Sequence, residues 1–331
     1  MRECLNVGKD KLKGMAMEIE EVDCDLCGSN EARVLPYGGF RVQDSVLNLV
    51  ICTRCGLKFV NPRPTQSVLQ SLYSDEFFTN PSYWSGGLDK GTYFEGIEKR
   101  EGYYEKVASK FDLMIRIQKS PPGMLLDVGC AGGLLMKEME RHGWQVFGVD
   151  VSESATSFAH KRLSLDVANG TLMDAKFADK QFDAIVMKDV LEHVPSPADV
   201  LNEARRILAD DGALIVHLPT DDSTVYKRME SLRWWILTRA MSKDPYRRND
   251  FNPPHLYQFT NRTLSKYAQR TGFEVREKSP ERHEIRKPIS SAHGDLTLRD
   301  TLRNLLFNWS AGLEDAFHLG LETTFLLRKA R

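Results

Sequence analysis

Four cysteines stand in two short pairs, Cys24-x-x-Cys27 and Cys52-x-x-Cys55, with residues 28–51 between them. Each pair runs straight into a glycine, CDLCG and CTRCG, which permits the tight turn that a metal knuckle needs after its second ligand. Two such knuckles converging on one ion make a closed tetrahedral zinc site. Four thiolates leave no open coordination position, so the metal expected here is structural and not catalytic. Four buried free thiols, or an iron–sulfur centre without any further supporting motif, are the competing readings. Paired C-x-x-C spacing in a reducing compartment favours metal over disulfides. Cys4 reads as an incidental thiol.

A second group of residues surrounds the glycine-rich run LLDVGCAGG, 125–133. It follows an apolar run with the character of a strand and opens a helical pattern. Gly129 and Gly133 let the backbone approach a ligand closely, and the helix start offers free N–H groups. Asp150 ends the next strand pattern, where a carboxylate can accept both hydroxyls of a ribose. A plain strand-to-helix turn using glycine for close packing is the alternative. The spacing does not match the G-x-G-x-x-G dinucleotide fingerprint. Cys130, inside this turn, reads as a packing residue and not as a nucleophile. His193 lies just past a later strand, at the carboxyl edge where such sheets bind ligands; its imidazole could act in acid/base chemistry or simply orient the loop. Glu192 could bind a substrate hydroxyl or cap the same loop. His217, inside a buried strand, reads as structural or pocket-lining.

These groups need elements to position them. Apolar runs at 124–128, 145–150, 183–188 and 213–218, with a short one near 165–168, predict strands. Helical patterns at 132–142, 153–162 (capped by Ser152) and 197–208 separate them. Continuous apolar strands divided by helices predict an α/β parallel sheet covered on both faces. Two further strands are expected at 273–278 and 322–329. Ahead of the sheet, residues 1–20 read as a flexible charged lead. Residues 21–63 form a cysteine module with short strands at Val46–Ile51 and Leu57–Val60, closed by NPRPT. Residues 64–122 form a connector rich in aromatics (Tyr73, Phe77, Phe78, Tyr83, Trp84, Tyr93, Phe94), followed by a helix over 96–118. Residues 123–331 form the main domain, with a long insert at 219–272 that includes a tryptophan-bearing helix near 224–243.

The main domain resembles class I S-adenosylmethionine (SAM) dependent methyltransferases. Asp127, Gly129 and Gly133 match their first motif, D-x-G-x-G-x-G, with Ala131 in place of the middle glycine, a departure tolerated if that position does not need positive φ. GVDVS (148–152) matches the second motif, NGTLMD (169–174) the exit of the third strand, FDAIVMKDVLEHV (182–194) the fourth strand and its loop, and DGALIVHLP (211–219) the fifth. The resemblance implies a Rossmann-like seven-stranded sheet of order 3-2-1-4-5-7-6 behind a small N-terminal zinc ribbon. It implies that SAM is held by Asp127, Gly129, Cys130, Ala131, Gly133, Asp150, Val151, Thr171, Leu172 and Lys188. Asp150 would take the ribose, Leu172 would pack on adenine, and Thr171 or its backbone would hydrogen-bond the base. Ribbon, NPRPT, aromatic connector and catalytic domain together are similar to a bacterial set of zinc-ribbon methyltransferases of surface-polysaccharide and secondary-metabolite pathways, including sugar methyltransferases. In such enzymes the insert roofs the acceptor pocket, which makes His255, in the H-x-Y-x-F run, a candidate general base beside His193, with Tyr257 as a further candidate. KDVLEH replaces the [DN]-P-P-[YFW] motif of enzymes that methylate planar amide or adenine nitrogens.

With 45 basic and 46 acidic residues, the formal net charge of −1 gives no electrostatic reason for a nucleic-acid or anionic-membrane partner. The resemblance implies a small-molecule, sugar-linked acceptor: a hydroxyl of a sugar, polysaccharide precursor or secondary metabolite. An RNA methyltransferase gripping substrate through its ribbon, and a methyltransferase-like scaffold without chemistry, are the competing functions. The N-terminus lacks an apolar core of signal-peptide length, and no stretch approaches the roughly 20 apolar residues of a membrane span. The expected compartment is the cytoplasm, and a homo-oligomer is possible. The apolar segment 229–241, MESLRWWILTRAM, fits a pocket lid or core role better than a dimer face or an interfacial membrane contact.

Overall fold

The computed structural model describes residues 18–35, 39–42, 45–72, 78, 94, 101–118, 122–222, 247–248, 255–281 and 322–330. Residues 1–17 of the expected lead with Cys4, the helix near 224–243, the aromatics at 73, 77, 83, 84 and 93, and the whole stretch 282–321 lie outside them. The N-terminal part contributes β1 (Ala32–Val34), β2 (Leu49–Cys52), β3 (Lys58–Val60) and helix α1 (Gln66–Leu72). After α2 (Glu101–Gln118), strand and helix alternate: β4 (Met124–Val128), α3 (Leu134–Arg141), β5 (Gln145–Asp150), α4 (Glu153–Leu163), β6 (Val167–Asn169), β7 (Phe182–Lys188), α5 (Pro197–Ile207) and β8 (Leu208–Pro219). The chain then gives β9 (Tyr257–Gln258), α6 (Asn261–Arg270), β10 (Phe273–Glu281) and β11 (Glu322–Lys329).

Seven strands form one sheet in the order β6-β5-β4-β7-β8-β11-β10. The first five are parallel, and β11 runs antiparallel to both β8 and β10. In order of appearance this is 3-2-1-4-5-7-6, as the motif order implied. The direction of winding reverses between β4 and β7, so a crevice opens beyond their carboxyl ends. The helices start where their sequences supply partners. The Ser152 side chain accepts from Ala155 N at the start of α4, and Ser196 accepts from Asp199 N ahead of Pro197 at the start of α5. Thr260 and Thr263 form a reciprocal capping box on α6.

The apolar run expected as a single strand over Val46–Ile51 is divided. Ser45–Leu47 pairs with Phe40–Val42, whereas β2 pairs with β1 and β3. One sequence run thus serves two sheets, broken at Asn48. β3 also pairs antiparallel with β9, so the cysteine module and the segment just after His255 share a four-stranded sheet, β9-β3-β2-β1.

The core has two faces. On one, Ala108, Phe111, Met114 and Ile115 of α2 pack with Leu135, Met136 and Met139 of α3 against the sheet. On the other, α5 and α6 cover the sheet, and Cys24, Leu26, Val50, Leu57 and Phe59 of the cysteine module join the same cluster as Leu201, Leu264 and Tyr267. The module is therefore packed into the main core. A stretch of this size could hardly build an adequate core alone.

Candidate active site

The crevice beyond β4 and β7 opens into a cavity of about 610 Å³, within the range of pockets that enclose small organic ligands. Asp127, Gly129, Cys130, Ala131, Asp150, Val151, Thr171, Leu172 and Lys188 all line it. Gly133 does not; it stands at the N-cap of α3 with φ 81°. Gly129 has φ 70°, and a Cβ there would meet Val190 Cγ2 at 2.6 Å. Both the conformation and the approach of the next loop therefore demand glycine. Ala131 departs from expectation: its φ is 48°, so the position does require the left-handed region. That conformation costs an alanine roughly 1 kcal/mol. It is held by the Ala131 N–H, which donates to Asp150 Oδ2 at 2.8 Å.

Asp150 also accepts from Ser152 N at 2.9 Å, so its carboxylate ties the first turn to the second. Asp127 is buried. Burial pushes its carboxyl up to about 8, and the Asp150 charge adds to this while Lys188 opposes it. Burial likewise raises Asp150, against the pull of its two backbone donors. A cavity floor with two buried carboxylates suits a ligand that brings positive charge and hydroxyl donors. Burial, Asp150 and Asp127 drive the Cys130 thiol well above its usual range, as expected of an inert packing residue. Thr171 is already engaged: its N–H and hydroxyl both donate to Asp174 Oδ2, at 3.0 and 2.6 Å. Leu172 is buried, whereas the apolar side chains of Val151 and Met173 are 40% and 45% exposed and both line the cavity. Together they offer a surface for a flat apolar group.

The opposite side of the cavity is assembled from distant segments. His193 and His255 meet edge to face with ring centroids 4.7 Å apart, and both line the cavity. The carbonyl of Glu192 accepts from Leu256 N at 2.7 Å and Tyr257 N at 3.2 Å, which stitches the loop after β7 to the insert. The Glu192 carboxylate is buried with no hydrogen-bond partner among the described residues. Burial, then the nearby Asp189 charge, pushes it up to about 8. One ligand atom from each of Glu192, His193 and His255 lies within 4.8 Å of the others, a cluster able to take up and hold a proton. Tyr257 is placed elsewhere. Its hydroxyl donates to the Pro195 carbonyl at 2.7 Å and accepts from Arg63 Nη1 at 3.1 Å, and it does not line the cavity. Burial raises it far above an ordinary phenol. His217 hydrogen-bonds Thr324 Oγ1 at 2.9 Å inside the sheet, also away from the cavity.

Several lining residues carry no motif. Gln66, Leu69 and Gln70 come from α1, Phe78 from the connector, and Tyr104 from α2. Phe78 stacks on Phe94, and Phe94 on Phe158 of α4 with centroids 4.6 Å apart. The aromatic richness of the connector pointed to Phe78 and Phe94 without giving them a role, and nothing in the sequence marked Gln66, Leu69, Gln70 or Tyr104.

The four cysteines gather at one point. Cys24 Sγ lies 3.5 Å from Cys55 Sγ, Cys27 Sγ lies 3.6 Å from Cys52 Sγ, and all four sulfurs fall within 4.8 Å of one another. Zinc–sulfur bonds of ~2.3 Å in a tetrahedron set sulfurs ~3.8 Å apart, so the donor set fits such an ion. Gly28 and Gly56 follow the two pairs with φ of 69° and 83°.

Comparison with known proteins finds methyltransferases among the proteins this chain is similar to. The ubiquinone biosynthesis O-methyltransferase of Alkalilimnicola ehrlichii is 36% identical over 97 residues, covering 28% of this chain and 39% of that protein. The enzyme of the same name from Cereibacter sphaeroides is 32% identical over 117 residues, covering 34% and 47%. The chain thus spans less than half the length of either relative. A SAM-dependent methyltransferase from Archaeoglobus fulgidus superposes with a TM-score of 0.45 at 18% identity, over 72% of this chain and 99% of its own. The plantazolicin methyltransferase in complex with SAH superposes with a TM-score of 0.46 at 16% identity, over 80% and 96%. The methyltransferase-domain family matches residues 99–278, over half of the chain, and the protein belongs to that family.

Proposed function

We propose that this protein transfers the methyl group of SAM to a hydroxyl of a small-molecule acceptor: a sugar, a polysaccharide precursor or a secondary metabolite. The observation that carries this reading is the juxtaposition, across one cavity, of the Asp127–Asp150 floor and the His193–His255 pair. SAM, when bound, supplies a methyl group already activated by its sulfonium charge. Asp150 spends two acceptor positions on Ala131 and Ser152, and its carboxylate keeps lone pairs for ribose hydroxyls. Leu172, Val151 and Met173 cover the base, while Thr171, its donors taken by Asp174, contributes acceptor atoms. Lys188 acts through Asp127, favouring its ionised form. Gly129, Cys130 and Ala131 bring backbone against the cofactor, and Gly133 sets the start of α3.

His255 or His193 takes the acceptor proton, with Glu192 behind them. Positioned acid/base groups of this kind contribute about 10²–10⁴ in rate. The four thiolates hold a structural zinc. The division into lead, ribbon, connector and catalytic domain is also ours, with the ribbon bound to the acceptor side through the shared strand β9. No helix among the described residues is long and apolar enough to cross a membrane. The near-neutral charge disfavours the RNA reading, since phosphate binding wants a basic face.

The test is an acceptor screen with SAM, beginning with nucleotide-linked sugars, run on wild type and His255→Ala. The expected outcome is turnover of a hydroxyl acceptor that falls about 10²–10⁴-fold in the variant while SAH affinity stays constant. Full turnover by the variant would remove His255 from the chemistry.

A further inference from the structure

We infer that Asp25, inside the first cysteine knuckle, is a positioning residue for the active-site loop that carries His193. Asp25 lies between two cysteines of the cluster in sequence, on the turn Cys24–Gly28, whose Cys27 and Gly28 N–H groups both donate to the Cys24 carbonyl. Its carboxylate leaves that turn and crosses to the catalytic domain. Oδ1 accepts from Ser196 Oγ at 2.8 Å, and Oδ2 accepts from Ala198 N at 3.1 Å and from Tyr267 OH at 2.9 Å. Ser196 is the N-cap of α5 and itself accepts from Asp199 N at 3.2 Å. The start of α5 is thus capped twice, once by its own serine and once by a negative charge from the ribbon. Charge and dipole favour that arrangement.

A second ribbon contact grips the preceding residue. Arg63 Nη1 donates to the Pro195 carbonyl at 2.6 Å, beside the Tyr257 hydroxyl. Pro195 and Ser196 line the cavity two and three positions after His193. Other ribbon contacts lie farther from the loop: Lys266 Nζ donates to Cys55 O at 3.1 Å, and Arg270 Nη1 to Leu26 O. The direction of the Asp25 side chain is set by the knuckle, and the knuckle is set by its cysteines. Whatever orders the cysteines therefore also orders the loop. The hold of the ribbon on the loop is independent of the methyltransferase reading; what the loop then does rests on that reading.

Amide hydrogen exchange on the full-length, zinc-loaded chain tests this. The comparison takes wild type, Asp25→Ala, Asp25→Asn and Tyr267→Phe, with zinc content and SAH affinity measured on the same samples. With zinc retained, Asp25→Ala should speed exchange at the loop amides within 193–198 by about tenfold, the size expected for loss of a charge-assisted contact. Exchange in β5 should not change. Asp25→Asn, which keeps one acceptor oxygen, should recover part of the protection. Tyr267→Phe removes a partner of Asp25 that does not touch the loop, so its loop should exchange as in wild type. SAH affinity, set by the opposite side of the cavity, should stay at the wild-type value in all the variants. Wild-type loop protection in zinc-loaded Asp25→Ala, or equal loosening by Tyr267→Phe, overturns the inference. If Asp25→Ala loses its zinc, Ser196→Ala carries the test from outside the ribbon, and unchanged loop protection there overturns it as well. Wild type that fails to bind SAH would count against the methyltransferase reading while leaving the exchange comparison intact.

Discussion

The two sides of the cavity are built in opposite ways. The proposed cofactor side comes from consecutive strand ends within residues 127–174, where Asp127, Gly129, Asp150 and Leu172 are fixed by one sheet. The proposed acceptor side draws on α1, the loop after β7 and His255, parts far apart in sequence and joined by a few hydrogen bonds and the ribbon. A sheet with buried strands needs no help to hold its turns. The loop at 193–196 has no such frame, and the cysteine module supplies one. Under the proposed function, one side is kept rigid for an invariant ligand, and the other can be rebuilt for different acceptors without disturbing the first.

The largest effect that would break this contrast is loss of the proposed zinc. Cys52→Ser, or chelation, should unfold the ribbon, since structural zinc in small modules is worth about 10–16 kcal/mol of apparent folding energy. Spectroscopic and exchange probes should then show loosening at residues 193–200 with β4 and β5 still protected; equal loss on both sides would erase the distinction. Next in size, Asp150→Ala should weaken SAH binding by about 100-fold, the order expected for two charge-assisted hydrogen bonds, with the fold retained by circular dichroism. Retained affinity would remove Asp150 from the cofactor side.

Glu192→Gln gives a smaller effect and a pH signature. The Glu192 carboxyl is pushed up to about 8 when folded, against ~4.3 in an unfolded chain. Folding therefore favours its protonated form: the contribution is complete below about pH 4 and is lost as pH rises towards 8. The glutamine variant should lose less stability between pH 5 and 8, by on the order of 3 kcal/mol, measured by urea unfolding. Identical slopes in both proteins would mean that Glu192 is not the buried acid described above. Asp127 should add a similar slope in wild type and variant alike. The smallest effect is expected for Ala131→Gly, which relieves a left-handed alanine worth about 1 kcal/mol but adds backbone freedom to the unfolded chain. Its thermal midpoint should move by only a few degrees.

The placement of the first side was legible because its information is local: a strand run, a glycine-rich turn and an acid at the next strand end encode the elements and bring these residues to the cavity. The cysteine quartet was legible for the same reason, two knuckles with glycines after them. The acceptor side was legible only in part. His193 and His255 stood out as residue types in place, but their meeting depends on the Glu192 carbonyl joining two segments more than 60 residues apart. Tyr257 fitted the H-x-Y-x-F pattern, yet its neighbours Arg63 and Pro195 lie at distant positions in sequence, and they turn its hydroxyl away from the cavity. Helix α6 carries a Thr260–Thr263 cap that a sequence reading could have used, but its contact with Asp25 through Tyr267 is a product of packing alone. The positive φ of Ala131 was hidden for a different reason, because alanine does not advertise that conformation.

The most direct test of the central claim is calorimetric titration of zinc-loaded, cofactor-stripped protein with SAM and with SAH, in two buffers of different ionisation enthalpy. Micromolar binding of both is expected. SAM binding should also release protons near pH 7, because a cation set against Asp127 lowers a carboxyl that stands at about 8 in the free protein. Absence of binding by either compound would contradict the assignment of this cavity to SAM.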